Sequence, residues 1–377
     1  YVLIKPEPVV QKFFTLLVVL AVVGLMLTGS FPLLAQNSQK SPVMVGVASQ
    51  NGFIIAHTNS IRHLATSHPG GAEVNVQWQT TGTKQWHQFY KYPKLGLSFI
   101  WYDYHNPVLG HSFAISPYIN KTFYRSSKAE LNFRVGSGIA IFSNKYDLKD
   151  NHKNSIISSS VNAVIQGRLE YIRMVSDHVG IMGALALNHY SNGATSKPNM
   201  GINIPTLCLG VNYYTSRPEQ FQVLEPEPFD NSLFYNISTS VGIKQLGPSV
   251  DKKFWVNNIS AAVGKQVNHK SNLLVGVEGF YDRSLNENQK TDTSLVNKPF
   301  PDTKRAGVFV GHELLFGKIA LETHLGVYIY RPYKIDTFYY ERVGLKYHIT
   351  PTLYTCLDLK VHRGSADVIE MRVGARL

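Results

Sequence analysis

The residues of this chain best suited to chemistry are His189 and Ser191, two apart at the end of a run of alternating polarity. In 179–192 the odd positions carry Val179, Ile181, Leu185 and Leu187, then His189 and Ser191, while the even positions carry Gly180, Met182, Ala184, Ala186 and Asn188. Successive side chains of a strand point to opposite faces, so this spacing sets an imidazole and a hydroxyl side by side on the apolar face. Cleaving an ester takes a hydroxyl nucleophile, a base for its proton and donors for the oxyanion. Ser191 and His189 supply the first two; the donors are expected from the Asn192 or Gly193 backbone N–H groups and the Asn199 side-chain amide, brought back by the turn from Gly193 to Pro198. Asn203 shares the outward face of the next run with Pro205, Leu207, Leu209 and Val211, so it is expected to approach His189 across the hairpin. Its carbonyl can fix the imidazole tautomer but brings no negative charge.

The elements that must position these groups read as strands. From about residue 43 the chain consists of short alternating runs separated by Gly, Asn, Asp, Pro and Lys clusters, with almost no helical periodicity. In 129–142, Leu131, Phe133, Val135, Ile139 and Ile141 oppose Glu130, Asn132, Arg134, Gly136 and Gly138. In the next run Val161, Ile165, Leu169 and Tyr171 oppose Asn162, Gln166, Arg168 and Glu170. Such alternation suits strands with lipid on one side and a polar lumen on the other. Roughly 12 to 16 strands are expected, with an even count near 14. The Pro- and acid-bearing segment 217–231, with Pro218, Pro226 and Pro228, reads as a loop that could divide two halves. One barrel closed by both halves is the simpler expectation, because an open half would leave unpaired edges in lipid. On this reading Glu170 pairs with Arg168 in the lumen rather than orienting His189, and Glu313, Glu322, His324 and His362 also face inward as packing and hydrogen-bonding groups.

Composition agrees with that class. Charged residues make up only 16% of the 377 positions, while 21 Tyr and 19 Phe provide for aromatic girdles. The net charge of +12 favours anionic partners such as lipid phosphates. Lys and Arg are scattered, with no basic run, Cys/His metal spacing or Gly-rich phosphate loop, so nucleic-acid binding has little support and no metal or cofactor is expected. The two cysteines, Cys208 and Cys356, allow either one bridge or two buried thiols. At the start, Lys5 and Lys12 precede an apolar run from Phe13 to Leu27, and Ser30, Pro32 and Ala35 lead into polar residues. That order predicts a signal peptide over 1–35, cleaved after Ala35, with residues 36–377 forming the barrel; an uncleaved anchor helix is the alternative.

The segments His189-Tyr190-Ser191-Asn192-Gly193-Ala194 and Pro198-Asn199-Met200-Gly201-Ile202 resemble the lipid A 3-O-deacylases of the PagL type and their longer acyloxyacyl hydrolase-like relatives. The resemblance extends to Tyr102–Gly110 and Phe133–Gly138 and covers about 90–215, while residues 305–377 resemble the second half of the longer relatives; the second half of the barrel is expected over about 230–377. It implies an all-β, antiparallel transmembrane barrel in the bacterial outer membrane. It also implies a serine esterase that removes an acyl chain from lipid A of lipopolysaccharide or a related lipid, with the roles of His and Ser carried onto His189 and Ser191. The asparagines of the family's oxyanion region fall on Asn192 and Asn199, whereas the Glu that orients the His in the smaller enzymes is replaced by Asn203. Two other classes fit parts of the pattern: a noncatalytic barrel, pore or scaffold with a relic motif, and a secreted β-sandwich or lectin.

Overall fold

The computed structural model describes residues 42–216, 221–250 and 252–377, so the expected export segment and Pro218 lie outside the described residues. Eight antiparallel strands come first: β1 (Val43–Gly52), β2 (Gly70–Gln79), β3 (Lys94–Asp103), β4 (His111–Arg125), β5 (Ala129–Phe142), β6 (Val161–Met174), β7 (Val179–Ser191) and β8 (Ile202–Tyr214). Eight more follow: β9 (Leu233–Gln245), β10 (Lys253–Asn268), β11 (Ser271–Asp282), β12 (Arg305–Phe316), β13 (Ile319–Tyr330), β14 (Tyr339–His348), β15 (Leu353–His362) and β16 (Ser365–Arg376). Two short helices, α1 (Gln85–Phe89) and α2 (Ser284–Thr291), lie in the connections. No helix of the described residues is long and apolar enough to cross a membrane.

The strands close two barrels, one from β1 to β8 and one from β9 to β16. Closure of the first is by β1 on β8, with Val47 opposite Val211 and Ser49 opposite Leu209; closure of the second is by β16 on β9, with Met371 opposite Val241. A single barrel completed by both halves is therefore corrected; among the described residues the strands number 16, eight to each ring, within the expected 12 to 16 and above the favoured 14. The physical argument for one ring was that an open half exposes edges in lipid, and each half removes its own edges by pairing first strand with last. The described part of the intervening segment, residues 221–232, has no regular structure.

Both rings are lined and coated as alternation requires. Leu185 on β7 is 64% exposed and Leu209 on β8 58%, whereas Ala184 and Cys208 on the opposite faces are 5% and 0% exposed. Aromatic side chains including Trp78, Trp101, Phe123, Tyr213, Tyr235 and Trp255 stand exposed on the outer faces. Inside the first ring Glu73 is fully buried and accepts from Arg134 at 2.7 Å and from Arg168; Glu170 lies 3.6 Å from Arg168 and accepts from Asn120 at 2.8 Å. Inside the second, Arg372 reaches Glu322 at 2.6 Å and Asp358 at 2.7 Å, Lys346 holds Glu313 and Glu322, and Arg342 holds Glu370. His324 lies 3.1 Å from Glu322, and His362 accepts or donates to the Tyr328 hydroxyl at 2.9 Å. An eight-stranded ring is just wide enough for its own side chains, and these paired charges fill it. Cys208 and Cys356 sit in different rings as free, buried thiols.

Candidate active site

Strand β7 carries the site where it leaves the first ring. His189 lies opposite Asn203 of β8 and Ile165 of β6, and Ser191 lies opposite Ala163 of β6. His189, Ser191 and Asn203 are all half-buried on the outer face, in line with the exposed Ile181, Leu185 and Leu187. Tyr190 and Asn192, one residue out of phase, are buried inward.

The cross-strand pairing brings His189 Nδ1 to 2.7 Å from Asn203 Oδ1. A carbonyl oxygen only accepts, so this contact places the ring proton on Nδ1 and leaves Nε2 as the basic nitrogen. Asn203 Nδ2 lies 3.4 Å from His57 Nδ1, and His57 Nε2 lies 3.0 Å from the Met200 carbonyl. One assignment satisfies all three contacts: His57 donates from Nε2 to Met200 and accepts from Asn203 at Nδ1, which holds the Asn203 amide with its oxygen toward His189. The Ile55 carbonyl, 3.3 Å from the same Nδ1, is left as a non-bonding neighbour in that assignment. His57 stands between β1 and β2, far from the motif in sequence, and no local spacing pointed to it.

Ser191 Oγ accepts two hydrogen bonds, from the Gly193 backbone N–H at 3.1 Å and from Asn199 Nδ2 at 3.2 Å. The Asn199 amide is itself fixed, because its Oδ1 accepts from the Asn192 backbone N–H at 3.2 Å. Thus Gly193 and Asn199 converge on the hydroxyl, while the Asn192 N–H is turned to Asn199. The Asn192 side chain points inward, donating to Ser158 Oγ at 3.1 Å and accepting from the Ser196 N–H at 3.4 Å. His189 and Ser191 are not hydrogen-bonded to each other.

Backbone conformation shapes the turn. Gly193 has φ +60° and the following Ala194 φ +68°, a left-handed conformation that costs a residue with a side chain about 1–3 kcal/mol. Gly201, at φ +71°, passes so close to the imidazole that a Cβ there would lie 3.0 Å from His189 Cε1. On the same turn, burial pushes the Lys197 ammonium below its usual range and neighbouring Lys244 adds to this, while Asp367 opposes it.

Glu170 takes no part here, being held in the lumen by Arg168 and Asn120. Glu322, Cys356 and Asp358 are the one grouping of metal-ligating types among the described residues, and they lie inside the second ring. Their carboxylates already face Arg372 and Lys346, which does not fit a cation site.

Residues 70–212 match the family model for lipid A 3-O-deacylase (PagL), and residues 233–377 match that for the C-terminal domain of acyloxyacyl hydrolase. The first match runs from β2 into β8 of the first ring, and the second covers β9 to β16 of the second. Among solved structures, the outer membrane enzyme PagL is 16% identical, with a TM-score of 0.30, over 44% of this chain and 97% of that one. Neisserial surface protein A is 12% identical, with a TM-score of 0.31, over 47% of this chain and 99% of that one. The attachment invasion locus protein Ail of Yersinia pestis is 12% identical, with a TM-score of 0.29, over 47% of this chain and 99% of that one. No curated protein matches the chain. Taken with the closed antiparallel rings and their apolar outer faces, the two family matches establish that the chain belongs to the PagL-type lipid A 3-O-deacylase and acyloxyacyl hydrolase-like family of bacterial outer-membrane β-barrels.

Proposed function

We propose that this protein is an outer-membrane serine esterase that removes an ester-linked acyl chain from lipid A or a related lipid, with Ser191 as nucleophile and His189 as general base. The observation that carries the proposal is the convergence of Gly193 N–H and Asn199 Nδ2 on Ser191 Oγ, at 3.1 and 3.2 Å, on the lipid side of the ring. Donors already gathered beside the nucleophile need little rearrangement to receive an oxyanion.

In the first half-reaction Ser191 Oγ adds to the ester carbonyl as its proton passes to His189 Nε2. The carbonyl oxygen takes the negative charge and accepts from Gly193 N–H and Asn199 Nδ2. Collapse breaks the carbon–oxygen bond to the sugar, and His189 returns its proton to the departing alkoxide. Water, deprotonated by the same nitrogen, then releases the fatty acid and restores Ser191. Asn203 holds the tautomer that this cycle requires, and Asn192 holds Asn199. An outward-facing site suits a substrate that lies in the membrane beside the protein, and the net charge of +12 favours its phosphates.

Lipid A from membranes carrying the full chain, Ser191→Ala or His189→Ala provides the test by mass spectrometry. The full chain should yield the species lacking one acyl chain, and neither variant should. Equal deacylation by both variants overturns the mechanism; intact lipid A with all three favours a noncatalytic scaffold.

A further inference from the structure

The turn that carries the Gly193 donor is held from outside its own ring. Gln245, the last residue of β9, donates its backbone N–H to the Ala194 carbonyl at 3.0 Å. Its side-chain Oε1 accepts from the Lys197 backbone N–H at 2.8 Å. The Gln245 amide cannot swing freely, since its Nε2 donates to the Val250 carbonyl at 2.7 Å. From β16, Ile369 presses on Gly193: a Cβ at that position would stand 2.2 Å from Ile369 Cγ1 and 2.5 Å from Cδ1. Each contact falls on the segment whose first two residues, Gly193 and Ala194, are left-handed. An unfavourable backbone conformation persists where surrounding groups over-determine it, and here those groups come from the second ring.

We infer that the second barrel is a positioning element for the esterase site of the first, in which Gln245 and Ile369 clamp the 193–197 turn so that the Gly193 N–H stays directed at the reacting oxygen. This rests on the deacylase reading of Ser191, and it assigns the second ring a task other than conduction, in keeping with the paired charges that fill it. Gln245 and Ile369 act through the turn and touch no reacting atom, so their effect belongs on the rate of the chemical step. Catalytic geometry tolerates little displacement, and loss of a single oxyanion donor costs about 10²–10³ in kcat.

The experiment compares the full chain with Gln245→Ala/Ile369→Ala and with the conservative Ile369→Val, which keeps both Gln245 hydrogen bonds, normalised to the heat-modifiable, folded fraction on gels. The double variant should lose roughly ten- to a hundredfold in kcat with KM unchanged, and Ile369→Val should stay within about threefold of the full chain. Hydrogen exchange at the Lys197 amide should speed up in the first and stay slow in the second. Unchanged kcat, a rise in KM alone, or unchanged exchange at Lys197 overturns the clamp. Ser191→Ala is run alongside: activity surviving in that variant defeats the esterase reading, and the clamp is then judged by the exchange result alone.

Discussion

Asn203 offers the sharpest test of how the proposed base is set. Its Oδ1 sits 2.7 Å from His189 Nδ1 as a direct cross-strand partner, so Asn203→Leu removes the acceptor while placing an apolar side chain among the outward-facing Leu207 and Leu209. The ring is then free to carry its proton on Nε2, where it cannot accept one from Ser191. Loss of tautomer control in the serine protease triad costs about 10⁴ in kcat, and a fall of about 10²–10⁴ is expected here. Asn203→Asp works the other way. A neutral hydrogen bond contributes about 0.5–1.5 kcal/mol and one to a charged group about 1.5–3 kcal/mol, so a carboxylate beside the imidazolium adds roughly 1–1.5 kcal/mol. Part of that is lost, because the second carboxylate oxygen meets His57 Nδ1, and the His57 proton must move there from its 3.0 Å contact with Met200. The net gain in kcat should be about three- to tenfold. Initial rates of fatty-acid release from lipid A in mixed micelles, normalised to folded protein, measure both. A folded Asn203→Leu variant with full kcat, or an Asn203→Asp variant slower than the unmodified chain, refutes the reasoning.

Removing the acceptor behind Asn203 with His57→Ala should lower kcat about three- to tenfold, as expected for one neutral hydrogen bond, with KM unchanged; a loss confined to KM would place His57 on the substrate instead. Glu73→Leu leaves the buried Arg134 and Arg168 without their principal partner and should destabilise the first ring by about 3–5 kcal/mol, read as a lower denaturant midpoint in micelles. A protease site inserted after the exposed Val223 should, once cut, yield two fragments that each keep heat-modifiable migration, because each ring closes on its own; unfolding of both on cleavage would contradict the topology.

Strand positions were largely legible because alternation is local, whereas closure is not. Runs were recognisable from about residue 43, yet the signal in β1 is short: Val43, Val45 and Val47 mark its outward face before Ser49, Gln50, Asn51 and Gly52 dilute the apolar pattern. That strand is the one that joins β2 to β8. Nothing local in that strand announces its pairing with β8, so the expectation of one barrel rested on the cost of an open edge in lipid, which each half in fact avoids by itself. The burial of Glu170 and the lumen position of Glu322 and His324 were readable for the same local reason, since inward and outward positions simply alternate.

The site divides along the same line between near and distant contacts. The shared face of His189, Ser191 and Asn203 follows from parity within two strands, and the hairpin between them fixes the register that pairs His189 with Asn203. Parity also separates Asn192 from its neighbours: an even-numbered residue in this run turns its side chain inward, so only its backbone N–H remains on the Ser191 side, and that is committed to Asn199. His57, Gln245 and Ile369 reach the hairpin across 146, 48 and 176 positions of chain, over distances that no periodicity spans. What those three share is that each contacts the turn or its orienting amide rather than the hydroxyl itself. On the proposed reading the reacting pair is encoded locally, while the contacts that hold its surroundings come from loop β1–β2 and from the second ring, so the inferred clamp makes the two rings one functional unit rather than an enzyme with an appendage.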